Sequence, residues 1–592
     1  MNAPRSRAAC SDLTKWDAGI ERVYPEAERN TDLATAEAAM AAMQSFAELA
    51  SPNDCSNEAI RLVLQQYREL QKIRSDLDAY AVLVRAADPR GPTIKPVLER
   101  INQIVGQFVP VRNATLLALA KVAGPRLESL WKENIPQIAS NVGAASLEAL
   151  QMTTEEANRR NALVRASIAA AREALEMHSQ ITTTAHSIFS RLDAPPSAEQ
   201  SKAYSDSVIA LYAGRGDAFA AAIRVVADAQ QPLAHEGGAG VRDYLAQTNG
   251  VPEITFSVAS RAIRDHLGPL QRFNSWKRHR LGGRLLLPDS LLGKTPSIPG
   301  QAVAIDKAFR SVLEACKPLG PDFAAALREL SAERRIDSCP NPERTRRNFV
   351  GRLKGKPFVF LDYDGSFSAI KKLSHELSHA AHDVLAAQCQ SAQFAPQIRL
   401  CAEIPAAVNE SLYFLYSVSR MTTTTDKNVL LFQEVSECMS QIYQTWLAAE
   451  FEIRAYERIE SGDTFDAHWL SAQYSQLLQE FYGESMQDLE AAGALWANQA
   501  HYFNQPLTSW VYPLARAMGW RVVAGILQGG DIGAATLQSY LEFLRAGSSL
   551  PTGELLSKLG IDLNSWQWMQ AAFDHLSSLM DQLESAIPAP SR

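Results

Sequence analysis

Two histidines four positions apart with a glutamate between them, in His375-Glu376-Leu377-Ser378-His379, are the residues of this 592-residue chain best suited to act together chemically. On a helix, positions i and i+4 project from one face, so the two imidazoles are near enough to share a single Zn²⁺. Glu376 sits one residue round from the first of them and brings a carboxylate beside any water held at the ion. Zinc lowers the pKa of such a water towards neutrality and polarises a substrate carbonyl. A neighbouring glutamate can accept the water's proton and pass it to a leaving amine. The chemistry implied is hydrolysis of a peptide bond.

These residues act together only if their segment is helical. Residues 369–385 contain neither Pro nor Gly, and Leu373, Leu377, Ala380 and Val384 recur at helical spacing, which predicts a helix over about 369–388. His375, His379 and His382 form a second stripe, making His382 a candidate for supporting the ligands by hydrogen bonding. Catalytic zinc also needs a third protein ligand and one open position. Twenty-four residues after His379, the run Glu403-Ile-Pro-Ala-Ala-Val-Asn-Glu410 opens a second apolar pattern through Leu412, Leu415 and Val418. It predicts a helix over about 402–419 with Pro405 in the first turn, where no backbone donor is required. Glu403, favoured at that end by the helix dipole, is the expected third ligand. Glu410, two turns further on the same face, is a second supporting candidate.

Ahead of the His-Glu-x-x-His helix, Asn348–Leu353 and Lys356–Tyr363 carry β-branched and aromatic residues bounded by Gly and Pro, as strands do. Long Ala-, Leu- and Glu-rich helical patterns run from Thr31 to about Ala229, interrupted at 51–54, 88–92 and 193–197. The last break is read as a lobe boundary, giving an amino-terminal helical lobe over residues 1–195 and a catalytic domain over 196–592. Residues 237–240 and 282–300 read as loops, Ala302 to Arg335 as helix, and the chain after the second helix as helical to its end.

Composition excludes several classes. The net charge of −7 has both signs well mixed, so no global field favours nucleic acid or an anionic membrane. The basic run Lys277-Arg-His-Arg280 is too short to alter that. No stretch of 18 apolar residues occurs, and no apolar signal core precedes Asp12, so a soluble cytoplasmic protein is expected. Seven cysteines without a CxxC pair point to a reduced compartment, with Cys389 and Cys401 as small apolar fillers rather than zinc ligands.

His-Glu-Leu-Ser-His-Ala-Ala-His382 followed by Glu403-Ile-Pro-Ala-Ala-Val-Asn-Glu410 resembles the oligoendopeptidase F branch of the thimet oligopeptidase (M3) family. There, HELGHAxH and a downstream E-x-A-S-T-x-N-E supply two His ligands, one Glu ligand and the general base. Lys15–Pro25, Leu77–Leu83, Glu450–Glu460 and Glu554–Leu563 are similar to further segments of that family in the same order. The resemblance implies a mainly α, two-lobed, zincin-like metallopeptidase with a deep channel and a small β-sheet beside the HExxH helix. It implies one Zn²⁺ per chain and endopeptidase action on short peptides paired with a sheet edge between Val350 and Tyr363. It also implies a His and a Tyr that stabilise the oxyanion, which fall here on His501 and Tyr512.

Three departures from the family pattern carry expectations of their own. Ser378 stands where the family has Gly and brings a hydroxyl near the metal. Arg344-Thr-Arg-Arg-Asn-Phe349 replaces a stretch of small residues and is read either as a solvated charge run or as cations that narrow the channel or favour acidic peptides. Around Trp510-Val-Tyr-Pro513 the tyrosine signature is altered, and Pro513 is expected to push Tyr512 out of helical geometry. The alternative these departures leave open is a catalytically weak or silent relative that captures a peptide or protein partner.

Overall fold

The computed structural model describes residues 16–49, 56–87, 95–123, 154–191, 197–235, 240–280, 285–287, 302–339, 347–390 and 398–587. Contacts divide the chain into two compact units: Met1–Asn161 with Gln301–Leu313 and Leu319–Pro396, and Ala162–Gly300 with Glu314–Pro318 and Gln397–Arg592. The lobe boundary read at residues 195 and 196 lies outside the described residues, as do Cys10, Cys55, the breaks at 51–54 and 88–92, and nearly all of the 282–300 loop.

In the first unit, helices Glu26–Leu49, Asn57–Ala87 and Lys95–Ala123 pack on one another. Ile60, Leu64, Tyr67 and Leu70 recur at helical spacing and all turn inward. Their core is continuous with a small sheet, since Leu353, Phe358 and Phe360 join the same apolar cluster as Leu33, Leu64, Leu77 and Leu119. Trp16 is wholly buried on that sheet, its ring 5.4 Å from Phe360 and 5.9 Å from Phe358.

Three strands form the sheet: β1 (Ile336–Asp337), β2 (Phe349–Leu353) and β3 (Lys356–Phe360), in the order β1-β3-β2, with β1 parallel and β2 antiparallel to β3. Lys354 and Gly355 make the β2–β3 turn with φ of 50° and 74°. Two left-handed residues twist a hairpin in the sense its strands require. Lys354 is held in that conformation from the helices: its ammonium lies 2.9 Å from Glu28 and from Asp32, and its amide donates to Asp76 at 3.1 Å. The sheet edge expected over 350–363 is therefore divided. Among the described residues β2 is an edge strand, whereas β3 lies between β2 and β1, the latter pairing with it at Val359 and Phe360.

The single helix expected from 302 to 335 is broken into Ile305–Ala315 and Gly320–Ala332 by a tight turn at Lys317–Leu319. Pro318 supplies no amide to a continuing helix, and Gly320 takes a φ of 83°. The His-Glu-x-x-His helix spans Phe367–Cys389, and its first turn is closed by Ser366 Oγ, which accepts from the Ala369 amide at 3.1 Å. It packs on β3 and on Gly320–Ala332 and is buried on nearly every face, with Ala381, Leu385 and Ala386 inside along with the predicted Leu373, Leu377 and Val384. A helix enclosed in this way is positioned by its surroundings more than by its own propensity.

In the second unit, the Glu403 helix (Arg399–Arg420) and the Tyr512 helix (Val511–Leu527) make the most extensive helix contact among the described residues. Their backbones approach closely at Gly519, where a Cβ would come within 2.6 Å of the Ala407 Cβ. Pro405 is not in the first turn, because the helix begins at Arg399. It lies in the second turn, where it removes the donor to the Cys401 carbonyl. Glu403 is accordingly the fifth helical residue, past the free amides that carry the dipole's positive end, so the dipole gives it less than expected. The helix Thr424–Met439 passes through a π segment, Ser440–Gln444, into Thr445–Glu460.

Cys316, Cys389, Cys401 and Cys438 are free thiols, whereas Cys339 is disulfide-bonded, contrary to the expectation of reduced cysteines throughout. Among the described residues, no helix is long and apolar enough to cross a membrane.

Candidate metal centre

His375 and His379 are half-buried on one face of their helix, with Nε2 atoms 3.1 Å apart and rings at 80° to each other. The i, i+4 spacing accounts for their proximity, and the crossed rings aim both nitrogens at one point. Glu403 joins them: one ligand atom from each of His375, His379 and Glu403 lies within 4.8 Å of the others. A tetrahedral ion with bonds of about 2.0–2.1 Å wants its donors about 3.3 Å apart. The ring pair already meets that spacing, so two imidazoles and a carboxylate are a donor set that fits a zinc-type ion. Glu376, next to His375 in the helix, is 7% exposed.

An ion pair not anticipated from the sequence fastens this helix to the sheet. Arg352 on β2 grips Asp383 with both arms of its guanidinium, Nε donating to Oδ2 at 2.6 Å. A two-armed grip of this kind fixes orientation as well as distance. His382 lies beside it, fully enclosed. Burial, with a lesser push from Arg352, lowers its pKa to about 3, so the ring is neutral. The Ser378 hydroxyl is also accounted for: it donates to the His375 carbonyl at 2.6 Å and is itself wholly buried. A side chain engaged with its own helix backbone in this way can stand where the family has Gly.

Glu410, read as support for the metal ligands, pairs with a buried arginine. Its Oε2 accepts from Arg516 Nη1 at 3.0 Å. Arg516 Nη2 reaches Glu434 at 2.6 Å and the Cys438 sulfur at 3.2 Å, and Arg516, Glu434 and Glu410 are 1%, 2% and 7% exposed. Burial would lower the Arg516 pKa, but Cys438, Glu434 and Glu410 outweigh it and raise the value. A sequence signal for this network existed: Arg516 sits in the apolar run Pro513-Leu-Ala-Arg-Ala-Met518, where an arginine must be paired.

His501 and Tyr512 are brought together, their rings edge-on with centroids 5.8 Å apart. His501 begins a short helix, His501–Asn504, with Nδ1 3.2 Å from Gln499 Oε1. Tyr512 is helical after all, as the second residue of Val511–Leu527. Pro513 does not displace it, because a proline in a first turn removes an amide that has no intrahelical partner. Of the arginine run, residues 344–346 lie outside the described residues; Arg347 is exposed, and Phe349 stacks on Phe360 at 5.1 Å.

Residues 325–575 match the sequence model of peptidase family M3. The matched M3 segment contains His375, Glu376, His379, Glu403, His501 and Tyr512. Oligopeptidase PepF of Bacillus subtilis is 21% identical over 350 residues, covering 58% of this chain and 51% of that protein. The chromosomal oligoendopeptidase F of Lactococcus lactis subsp. cremoris is 22% identical over 354 residues, covering 58% and 57%. The chain thus spans about half the length of the curated M3 relatives it matches. In fold it is similar to a putative peptidase from Chlamydophila abortus, with a TM-score of 0.74 at 18% identity over 99% of this chain and 100% of that one. Oligoendopeptidase-F from Enterococcus faecium is a further neighbour, with a TM-score of 0.62 at 15% identity over 96% and 99%. The mainly helical M3 fold with a small sheet beside the His-Glu-x-x-His helix is thereby established.

Proposed function

We propose that the protein is a zinc-dependent endopeptidase of short peptides, in which His375, His379 and Glu403 hold the ion and Glu376 is first base and then acid. The observation that carries this reading is the convergence of two imidazole nitrogens and a carboxylate within 4.8 Å on a chain segment of family M3. A bound zinc ion supplies Lewis acidity and draws the pKa of a water towards neutrality. As a water oxygen adds to the scissile carbonyl carbon, the Glu376 carboxylate, at the next helix position from His375, would take its proton and return it to nitrogen as the C–N bond breaks. His501 and Tyr512 donate hydrogen bonds to the carbonyl oxygen as negative charge develops on it. The printed names of the curated relatives, oligopeptidase and oligoendopeptidase, support short peptides as substrates. Strand β2, the edge of the sheet, is the element suited to pair with a peptide backbone.

Mass spectrometry of a mixed peptide pool, with and without a chelator, tests the reading. Internal cleavage of short peptides is expected from the zinc-loaded protein, lost on metal removal and restored by added zinc. Unchanged products after complete metal removal would exclude the assignment, as would zinc-loaded protein that cuts no peptide in the pool. A narrower test concerns Ser378. Its hydroxyl is spent on the His375 carbonyl, so Ser378→Ala is expected to leave zinc affinity unchanged in competition with a chromophoric chelator. A loss of about tenfold or more, the size associated with groups that orient metal ligands, would return the hydroxyl to the site.

A further inference from the structure

The segment that joins His501 to Tyr512 contains a strained residue fastened by a buried acid from a different helix. Leu507 has a φ of 59°, in the left-handed region that a leucine adopts only at a cost. Its amide donates to Glu452 Oε1 at 2.7 Å. Glu452, 1% exposed, belongs to the helix Thr445–Glu460 and lies 55 residues away along the chain. A second fastening comes from Arg399, the first residue of the Glu403 helix, whose guanidinium donates to Gln505 Oε1 at 3.0 Å. Within the segment, Thr508 Oγ1 donates to the Gln505 carbonyl at 2.6 Å, and the Val511 amide to the Thr508 carbonyl at 3.2 Å. These bonds hold the segment at Gln505, Leu507, Thr508 and Val511, up to the start of the Tyr512 helix.

We propose that Glu452 is a positioning residue for the peptidase reaction: by holding the Leu507 amide it sets the path of the 505–510 segment, and so the approach of His501 to Tyr512. The inference rests on the reading of His501 and Tyr512 given above. A buried carboxyl is a costly way to cap one amide unless the conformation it imposes is needed. Burial raises the Glu452 pKa to about 8, with the Leu507 amide acting against that rise. Burial thus favours the protonated acid, whose carbonyl oxygen is an acceptor that a glutamine of the same length reproduces. Tyr456 and Tyr502 lie near it, burial raising the pKa of both, and Tyr502 Oη donates to the Ala448 carbonyl at 3.1 Å.

The test compares Glu452→Ala, Glu452→Gln and wild type, all zinc-loaded, on a quenched-fluorescence peptide that wild type cleaves. Glu452→Ala is expected to lose about 10²-fold in kcat with KM unchanged, the scale of a misplacement of about 1 Å at a reacting centre. Glu452→Gln is expected to retain near-normal kcat. A purely structural role predicts instead that the two variants fall together, or that the loss appears in the amount of folded protein with kcat per folded site unaltered; either result overturns the proposal. If Glu452→Ala does not fold, Glu452→Met, which fills the volume without an acceptor, takes its place. Amide exchange over residues 501–512 gives a readout independent of turnover. Faster exchange in the Ala or Met variant and wild-type exchange in the Gln variant is expected, and unchanged exchange in all of them rejects the idea even if wild type proves to cleave nothing. A wild type without activity counts against the peptidase reading, whereas a normal kcat in Glu452→Ala counts against this one.

Discussion

Glu376→Gln is expected to lower kcat by about 10²–10⁴-fold while the protein still binds one zinc per chain. The amide has nearly the volume and reach of the carboxylate, so the enclosure of a residue 7% exposed is kept. What disappears is the ability to accept a proton from water and return it to nitrogen, which is needed in the transition state and not for binding. KM should therefore move little, and kcat/KM should fall with kcat. Metal content by mass spectrometry and steady-state rates on one peptide are sufficient measurements. Cleavage at the wild-type rate would remove Glu376 from the mechanism. Loss of the metal together with activity would instead assign it a structural part in the site.

Arg516→Met is expected to destabilise the protein by about 3–5 kcal/mol, because it strands two buried carboxylates, Glu410 and Glu434, without their cation. The isolated value of the ion pairs is beside the point, since taking three charges out of water is itself costly. The expected loss reflects the uncompensated charge that remains, and thermal unfolding should report a midpoint lower by about 2–7 °C in a chain of this size. The triple variant Arg516→Met with Glu410→Gln and Glu434→Gln removes all the charges and should recover much of the deficit. A midpoint for the single variant within about a degree of wild type would mean that the network does not bear on stability. Arg516 is one turn beyond Tyr512, and Glu410 two turns beyond Glu403 on the Glu403 helix. The same pair thus sets the register of two helices that carry proposed site residues, so activity should fall along with stability.

How far the site was legible varied with the distance over which each interaction acts. The i, i+4 geometry of one helix is enough to bring His375 and His379 to 3.1 Å, and a run without Pro or Gly is enough to make that helix. Both were readable as residue types at a spacing, as were the hairpin strands around Gly355. Helix periodicity also put Glu403 and Glu410 on one face, but it could not say what that face meets. In the folded chain the second of them meets Arg516, more than a hundred positions away. Pro513 misled for a related reason. Its effect on Tyr512 depends on whether it stands inside a helix or in its first turn, and the start at Val511 is a tertiary outcome.

Local geometry by itself therefore determined the paired imidazoles, the glutamate beside them and the helix that presents all three. Tertiary packing alone decided that the Glu403 carboxylate reaches them, that Asp383 is locked to β2 by Arg352, and that Glu452 fastens the segment between His501 and Tyr512. The physical reason is that helical periodicity constrains which residues share a face over a few turns. Which faces meet is settled by the burial of apolar surface and the pairing of buried charges across the whole chain.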